Sequence, residues 1–361
     1  MKGGRSLKTL IRVLVIISLL LCFALYLNLN NNQKNDILIQ DENSPEQTTD
    51  SLGQEAKDQQ QNSSRPQEGI MQLIGKTKAE IEKQFGPPDR VDRTAYGYDW
   101  MIYNKDLEQY MQIGVENEKV VTIFSIGANV NTSPFKIGQS VSDIYSANQI
   151  DTTIGLEYDS STYRFELSEE DINSRPLIQF GDIYAQLYID KFTGTLSSIR
   201  IMDGPTLLKL RPYEMVYRGE LLELDPPDKE TEAAIENGKE LQIFDLTNIL
   251  RKRFELEPLK WDDKTAEVAY LHSKDMFESE EFSHTSEKYG ELSDRLDAAQ
   301  VYYEVAGENI AANYVDAPAV VEGWLNSEGH RKTILNEEFS HIGVGVFQKH
   351  YTQNFIKKWE E

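Results

Sequence analysis

Residues 303–335 read YEVAGENIAANYVDAPAVVEGWLNSEGHRKTIL, setting a Glu inside Gly-Glu-Asn 22 residues ahead of a His inside Gly-His-Arg. Neutral imidazoles offer nitrogen lone pairs to a divalent transition metal, and a carboxylate orients such a ring or takes a proton from a bound water. Three protein ligands with an open position are the minimum for metal-assisted hydrolysis. Without a metal, a His–Glu pair serves general acid–base chemistry near neutral pH. A role without chemistry is also open, because buried polar groups must be hydrogen-bonded and such a set can simply hold loops together. No serine or cysteine nucleophile accompanies the histidines, which favours a binding site over an enzyme.

Other residues carry plainer expectations. Glu308 and His330 both read as residues of short, glycine-marked turns, and Asn309 as a group that caps or bonds such a turn. His272 should pack against its neighbours, with contact to the cleft as the alternative, and His341 and His350 should lie at the surface. Gly307, Gly329, Gly343 and Gly345 read as positions of backbone geometry and close strand–helix approach. Trp324, an aromatic at helical spacing, belongs to a core. Asp294 and Arg295 read as an ion pair with each other.

The elements that must position these groups follow from periodicity. From Glu240 the pattern is helical, with Ile243, Leu246, Leu250 and Phe254 on one face. Asp262 is an N-cap for a second helix, and a third follows Asp316 with Pro318 in its first turn. The chain closes with HIGVGVFQKHYTQNF, which alternates as a strand does. The C-terminal portion, 239–361, is therefore a sandwich of helices and sheet, joined by a connector at 204–238 that contains DPPDKE.

Residues 69–203 contain a degenerate repeat. One copy opens IGKTKAEIEKQFGPPDRV at Ile74 and the other IGQSVSDIYSANQI at Ile137. Each starts a helix, with Thr77 or Ser140 as N-cap and Glu80 or Asp143 three residues on. Alternating strands follow each helix, and Phe192-Thr193-Gly194 reads as a hairpin turn. The whole chain is thus α+β, with a duplicated helix-plus-antiparallel-sheet domain ahead of the sandwich. The repeat domain has no histidine and no catalytic spacing, so it should bind or position.

The N-terminus reads as a targeting segment, 1–29. Lys2, Arg5, Lys8 and Arg12 precede the uncharged VLVIISLLLCFALYL at 13–27, near the lower limit for a spanning helix. No small-x-small cleavage site follows, so the reading is an uncleaved anchor with the other domains outside; cleavage would make the protein secreted. Residues 30–68, rich in Gln, Asn, Asp and Ser, bury too little apolar surface to order and read as a disordered linker. The net charge of −23 opposes nucleic acid and anionic lipid as partners. Cys22, the single cysteine, excludes an intramolecular disulfide and a cysteine-ligated zinc site.

Taken in order, LxWDD around Trp261, HSKDM at 272–276, FSHTS at 282–286, SDR at 293–295, GENIA at 307–311, WLNSEGHRKTIL at 324–335 and IGVGV at 342–346 resemble the CAP superfamily. That superfamily comprises cysteine-rich secretory, antigen 5 and pathogenesis-related proteins, here in the bacterial branch. The preceding repeat resembles the CAP-associated N-terminal domain. The resemblance implies an α-β-α sandwich whose surface cleft is lined by two His and two acidic residues. By motif these are His284, His330 and Glu308, so the resemblance makes His284, Glu308, His330 and Glu328 the candidate catalytic residues, and His284 and His330 the candidate ligands for zinc or another divalent metal. The fourth position falls on Ser327, with Glu328 its acidic neighbour. It further implies a protein of the cell envelope, with a wall polymer, a small ligand or an envelope protein as partner. A peptidase or wall-modifying hydrolase and a structural scaffold are the alternatives.

Overall fold

The structure is a computed structural model that describes residues 39–40 and 64–359; the apolar run at 13–27 and most of the linker lie outside the described residues. A two-residue strand, β1 (Ile39–Gln40), precedes the repeat domain. The first copy then runs α1 (Lys78–Phe85), β2 (Arg90–Arg93), β3 (Asp99–Tyr103), β4 (Met111–Glu116) and β5 (Lys119–Ser125). The second copy runs α2 (Val141–Ala147), β6 (Thr153–Tyr158), β7 (Ser161–Glu166), α3 (Glu169–Ser174), β8 (Leu177–Phe180), β9 (Ile183–Asp190) and β10 (Thr195–Asp203). Thr77 opens α1 with the capping box its sequence announces, its side chain accepting from Glu80 N while Glu80 reaches back. Ser140 caps α2 through Ser142 N instead, so Asp143 is a first-turn acid without the reciprocal bond.

The two copies fuse rather than stand apart. One seven-stranded sheet runs β2-β3-β4-β5-β10-β9-β8, its copies joined where β5 pairs antiparallel with β10. The second copy splits: β6 and β7 leave for a smaller sheet completed by β11 (Glu214–Arg218), whose other edge takes β1 in parallel. Between β10 and β11 lies α4 (Gly204–Leu210), capped by Asp203 and almost wholly buried. The stretch 204–238 that reads as a connector therefore contains α4, β11 and the start of α5 (Lys229–Arg253). Its helix-forming part was hidden because α5 opens with a polar turn capped by Asp228, before its apolar face begins.

The C-terminal domain is the α-β-α sandwich expected of it. After α5 come β12 (Lys260–Trp261), α6 (Asp263–Ser279), α7 (Leu292–Ala298), β13 (Val305–Ala312), α8 (Ala317–Leu325), α9 (Glu328–Ile334), β14 (His341–Phe347) and β15 (His350–Lys357). The sheet order is β12-β14-β15-β13, which leaves β13 at an edge. Successive residues of β15 face opposite layers: Thr352 bonds Ser273 of α6, while Gln353 bonds Thr247 of α5. The final stretch that alternates as one strand is a hairpin. It turns at Gln348, which takes φ 56° without glycine or proline to advertise it.

Glycine sets the sandwich's tightest contact. A Cβ on Gly343 would lie 2.1 Å from Ala266 N, and one on Gly345 only 1.9 Å from Tyr270 N. The bare backbone of β14 thus lets α6 lie directly against the sheet. Gly329 meets nothing within 4 Å, so packing makes no such demand there.

The two domains share one core. Tyr98, Trp100, Phe124 and Tyr188 of the repeat domain pack in a single apolar cluster with Ile243, Leu246, Trp324 and Leu325. Trp324 is buried as expected and donates from Nε1 to Ile310 O at 3.1 Å. Buried polar pairs cross the same boundary. Arg200 Nη2 meets Asp316 Oδ2 at 2.6 Å, and Glu322 accepts from Ser197 and Ser198.

Candidate functional site

Glu308 is not in a turn. It sits midway along the edge strand β13, paired in register with Asn354, and its side chain is only 4% exposed. A strand alternates its side chains, so Glu308 and Asn309 project to opposite faces. On Glu308's face the carboxylate meets three cationic or ionisable groups. Arg295 Nη2 of α7 lies 2.5 Å from Oε2, His284 Nδ1 lies 2.9 Å from Oε1, and His272 Nε2 of α6 lies 3.8 Å from Oε1.

Arg295 does more than neutralise a charge. Its Nη1 also donates to the carbonyls of His284 and Gly290, each at 2.9 Å. One planar guanidinium therefore ties the 284–290 loop to the carboxylate that orients the His284 ring. Arg295 does not pair with Asp294, as the sequence suggested. Asp294 is the N3 residue of a capping box, its Oδ2 accepting from Glu291 N at 2.9 Å. Helix geometry explains the difference, since adjacent helical residues point in different directions.

Both oxygens of Glu308 are engaged, and one of them accepts from Arg295. The ring nitrogen facing Glu308 must then be the donor, so the neutral form of His284 is the Nδ1–H tautomer, which carries its lone pair on Nε2. The His284 side chain is 57% exposed, so that lone pair is accessible.

His330 is in the first turn of α9, not in a loop. Its backbone carbonyl accepts from Asn309 Nδ2 at 3.2 Å, and Asn309 also donates to Gln353 Oε1. The Asn that reads as a turn residue is thus a buried strut between the sheet and the His330 helix. Burial, and then the neighbouring His284, holds the His330 ring below the ordinary imidazole pKa. It is neutral at pH 7, with a lone pair to give. Next in sequence, Arg331 reaches Asp190 of the repeat domain at 2.9 Å, while Asn326 donates to Ile189 O and accepts from Lys191 N. The segment carrying His330 is docked on the β9–β10 hairpin of the other domain.

Glu328 and Ser327 stand apart from this network. Glu328 pairs with Lys332 at 2.7 Å on the exposed face of α9, and Ser327 is the helix N-cap without a side-chain cap bond. His272, for which packing was the first expectation and cleft contact the alternative, lies 3.8 Å from Glu308. It is fully buried, and burial depresses its pKa. Its place in HSKDM marks the family, but only its approach to Glu308 shows where it lies. His341 and His350 are partly buried rather than surface groups, with His341 bonded to Ser340 and His350 edge-on to Phe277.

As a metal site the cleft offers two imidazoles and a carboxylate already committed to Arg295 and His284. Among the described residues no group of three or more His, Cys, Asp or Glu side chains is gathered to hold an ion. With Glu308 committed to Arg295 and His284, the nitrogen donors left to an ion are those of His284 and His330, and Glu308 stands in the outer position that orients the His284 ring. The cleft does not supply the three protein ligands that metal-assisted hydrolysis needs.

Similar proteins place the chain. The family model described as CAP-associated N-terminal matches residues 74–213, and that of the cysteine-rich secretory protein family matches 244–356. The uncharacterized membrane protein YlbC of Bacillus subtilis is 53% identical over 294 residues, covering 81% of this chain and 85% of its own. A solved extracellular protein containing an SCP domain from Bacillus anthracis is 45% identical with a TM-score of 0.78, over 83% of this chain and 98% of that one. A solved cysteine-rich secretory protein from Staphylococcus aureus is 29% identical with a TM-score of 0.73, over 82% and 98%. With both domains matched in order and more than four-fifths of the chain aligned to such a relative, this protein belongs to the cysteine-rich secretory protein (CAP) family, in the form that carries a CAP-associated N-terminal domain.

Proposed function

We propose that this is an extracytoplasmic, membrane-associated CAP protein whose cleft binds a divalent transition metal, zinc above all, through His284 and His330. The observation that carries this reading is the Glu308–His284 bond, which turns the exposed imidazole's lone pair outward beside a second, neutral histidine. Glu308 and Arg295 act as positioning residues, and the open positions of the metal are left to water or a small ligand. Membrane association is supported by the name of the Bacillus subtilis relative and by the apolar run at 13–27. The same placement makes the cell envelope the site of action. Among the described residues no helix is long and apolar enough to cross a membrane, so the anchor rests on that run alone. The repeat domain serves to hold the His330 helix in place, through Arg331, Asn326 and the shared core.

Calorimetric titration with zinc tests this. One zinc per chain with micromolar or tighter affinity, lost in folded His284→Ala and His330→Ala, supports it. Absence of binding in the wild-type protein rules out the metal site.

A further inference from the structure

Two sheets of the repeat domain end beside each other. The small sheet ends at β6 and the large one at β8, and a cavity of about 770 Å³ is lined along the full length of both strands. An edge strand turns alternate N–H and C=O groups away from its own sheet, so such a cleft is a template for a further strand. The far edge of the same small sheet already takes one, since β1 pairs in parallel with β11 there.

The chemistry of the walls says what kind of strand fits. Ile154, Leu177, Ile178, Phe180 and Tyr184 give an apolar floor. Four carboxylates, Asp151, Glu157, Asp182 and Asp203, are also in the lining, and no Lys, Arg or His is among it. Two of the four are committed, Asp182 to Arg65 in a two-bond pair and Asp203 to the cap of α4. Asp151, just before β6, and Glu157, within it, make no ion pair among the described residues: Asp151 accepts from Gln149, and Glu157 is exposed. An extended segment alternating apolar and cationic side chains would place the first on the floor and the second against these acids.

We propose that the β6–β8 cleft docks an extended, lysine- or arginine-bearing peptide segment of another protein, which adds as a strand to the β6 edge. The site is separate from the histidine cleft and does not depend on a metal there.

The probe is a fluorescein-labelled Lys-Val-Lys-Val-Thr-Val-Lys peptide with blocked ends, titrated into the full chain by fluorescence anisotropy. Saturable binding that weakens with added salt is expected, with slowed amide exchange confined to residues 153–158 and 177–180. Asp151→Asn with Glu157→Gln, both side chains outside the core, should weaken it at least tenfold while circular dichroism is unchanged. Two further peptides, N-methylated on alternate residues in opposite registers, separate strand addition from charge attraction. One register should abolish binding and the other should spare it. Equal binding by both, protection elsewhere in the chain, or no saturable binding would overturn the proposal. So would concentration-dependent self-association of the chain that the double variant abolishes, because the occupant would then be a second copy.

Discussion

Arg295 Nη2 meets Glu308 Oε2 at 2.5 Å while its other terminal nitrogen holds the backbone carbonyl of His284, so a single side chain fixes both the carboxylate and the loop of the ring it orients. Both charges are buried, Arg295 at 5% and Glu308 at 4% side-chain exposure. Removing one partner strands the other, which costs about 3–5 kcal/mol for a buried pair. Arg295→Ala should therefore lower unfolding stability by that amount in urea titrations. Zinc affinity should fall roughly 10–100-fold, the usual effect of losing an outer-layer partner of a metal ligand. Arg295→Lys should recover only part of either, since an ammonium cannot reproduce the planar fork.

Gly345→Ala tests the contact between α6 and the sheet. The new methyl would be driven into the backbone of Ala269 and Tyr270, neither of which can rotate away. Overpacking of this kind costs about 1–3 kcal/mol and more where backbone must shift. Denaturant unfolding should show a loss of about 3 kcal/mol or greater. Gly329→Ala, where a Cβ meets open space, should change stability little.

Glu322 predicts a pH dependence. Buried at the domain boundary, its carboxyl is pushed up to about 7 chiefly by desolvation, against 4.5 for the free group. The folded state then holds a proton the unfolded state has lost between those values, so this group's contribution to stability falls as pH rises from about 4.5 to 7 and is flat above. The full shift corresponds to about 3 kcal/mol. Glu322→Gln keeps a partner for Ser197 and Ser198 without the charge. Thermal unfolding should show it more stable than wild type at pH 8 and indistinguishable at pH 4.

The Arg200–Asp316 pair joins the domains with both groups nearly or wholly buried. Arg200→Ala should cost about 3–5 kcal/mol by leaving Asp316 uncompensated. Combining Arg200→Met with Asp316→Asn, which keeps an N-cap for α8, should restore most of that loss. Urea unfolding of the two variants beside wild type measures the difference.

Much of the fold was legible because local signals carried it: the Thr77 capping box, the Asp262 and Asp316 caps, and Gly343 and Gly345 against α6. The Gln348 turn was not, because a left-handed Gln in a hairpin looks like any polar residue. Nor was the placement of Glu308 in a strand, since Gly-Glu-Asn is turn-like in composition and only pairing with β15 overrides it. Glu308 and His330 stand out in the chain by their glycine-marked stretches, whereas His284 is singled out only by its family motif. Arg295, His272 and Asn309 could not be assigned their roles, because each acts across 12 or more residues of chain or through an opposite layer of the sandwich. Such contacts are set by packing, not by sequence spacing.

The most direct measurement is a zinc-edge anomalous difference map from crystals of the protein soaked in zinc. A single strong peak about 2.0–2.1 Å from both His284 Nε2 and a ring nitrogen of His330, with Glu308 still on His284 Nδ1, is the expected result. No peak in the cleft, or a metal held by Glu308 with His284 displaced, would contradict the two-histidine site.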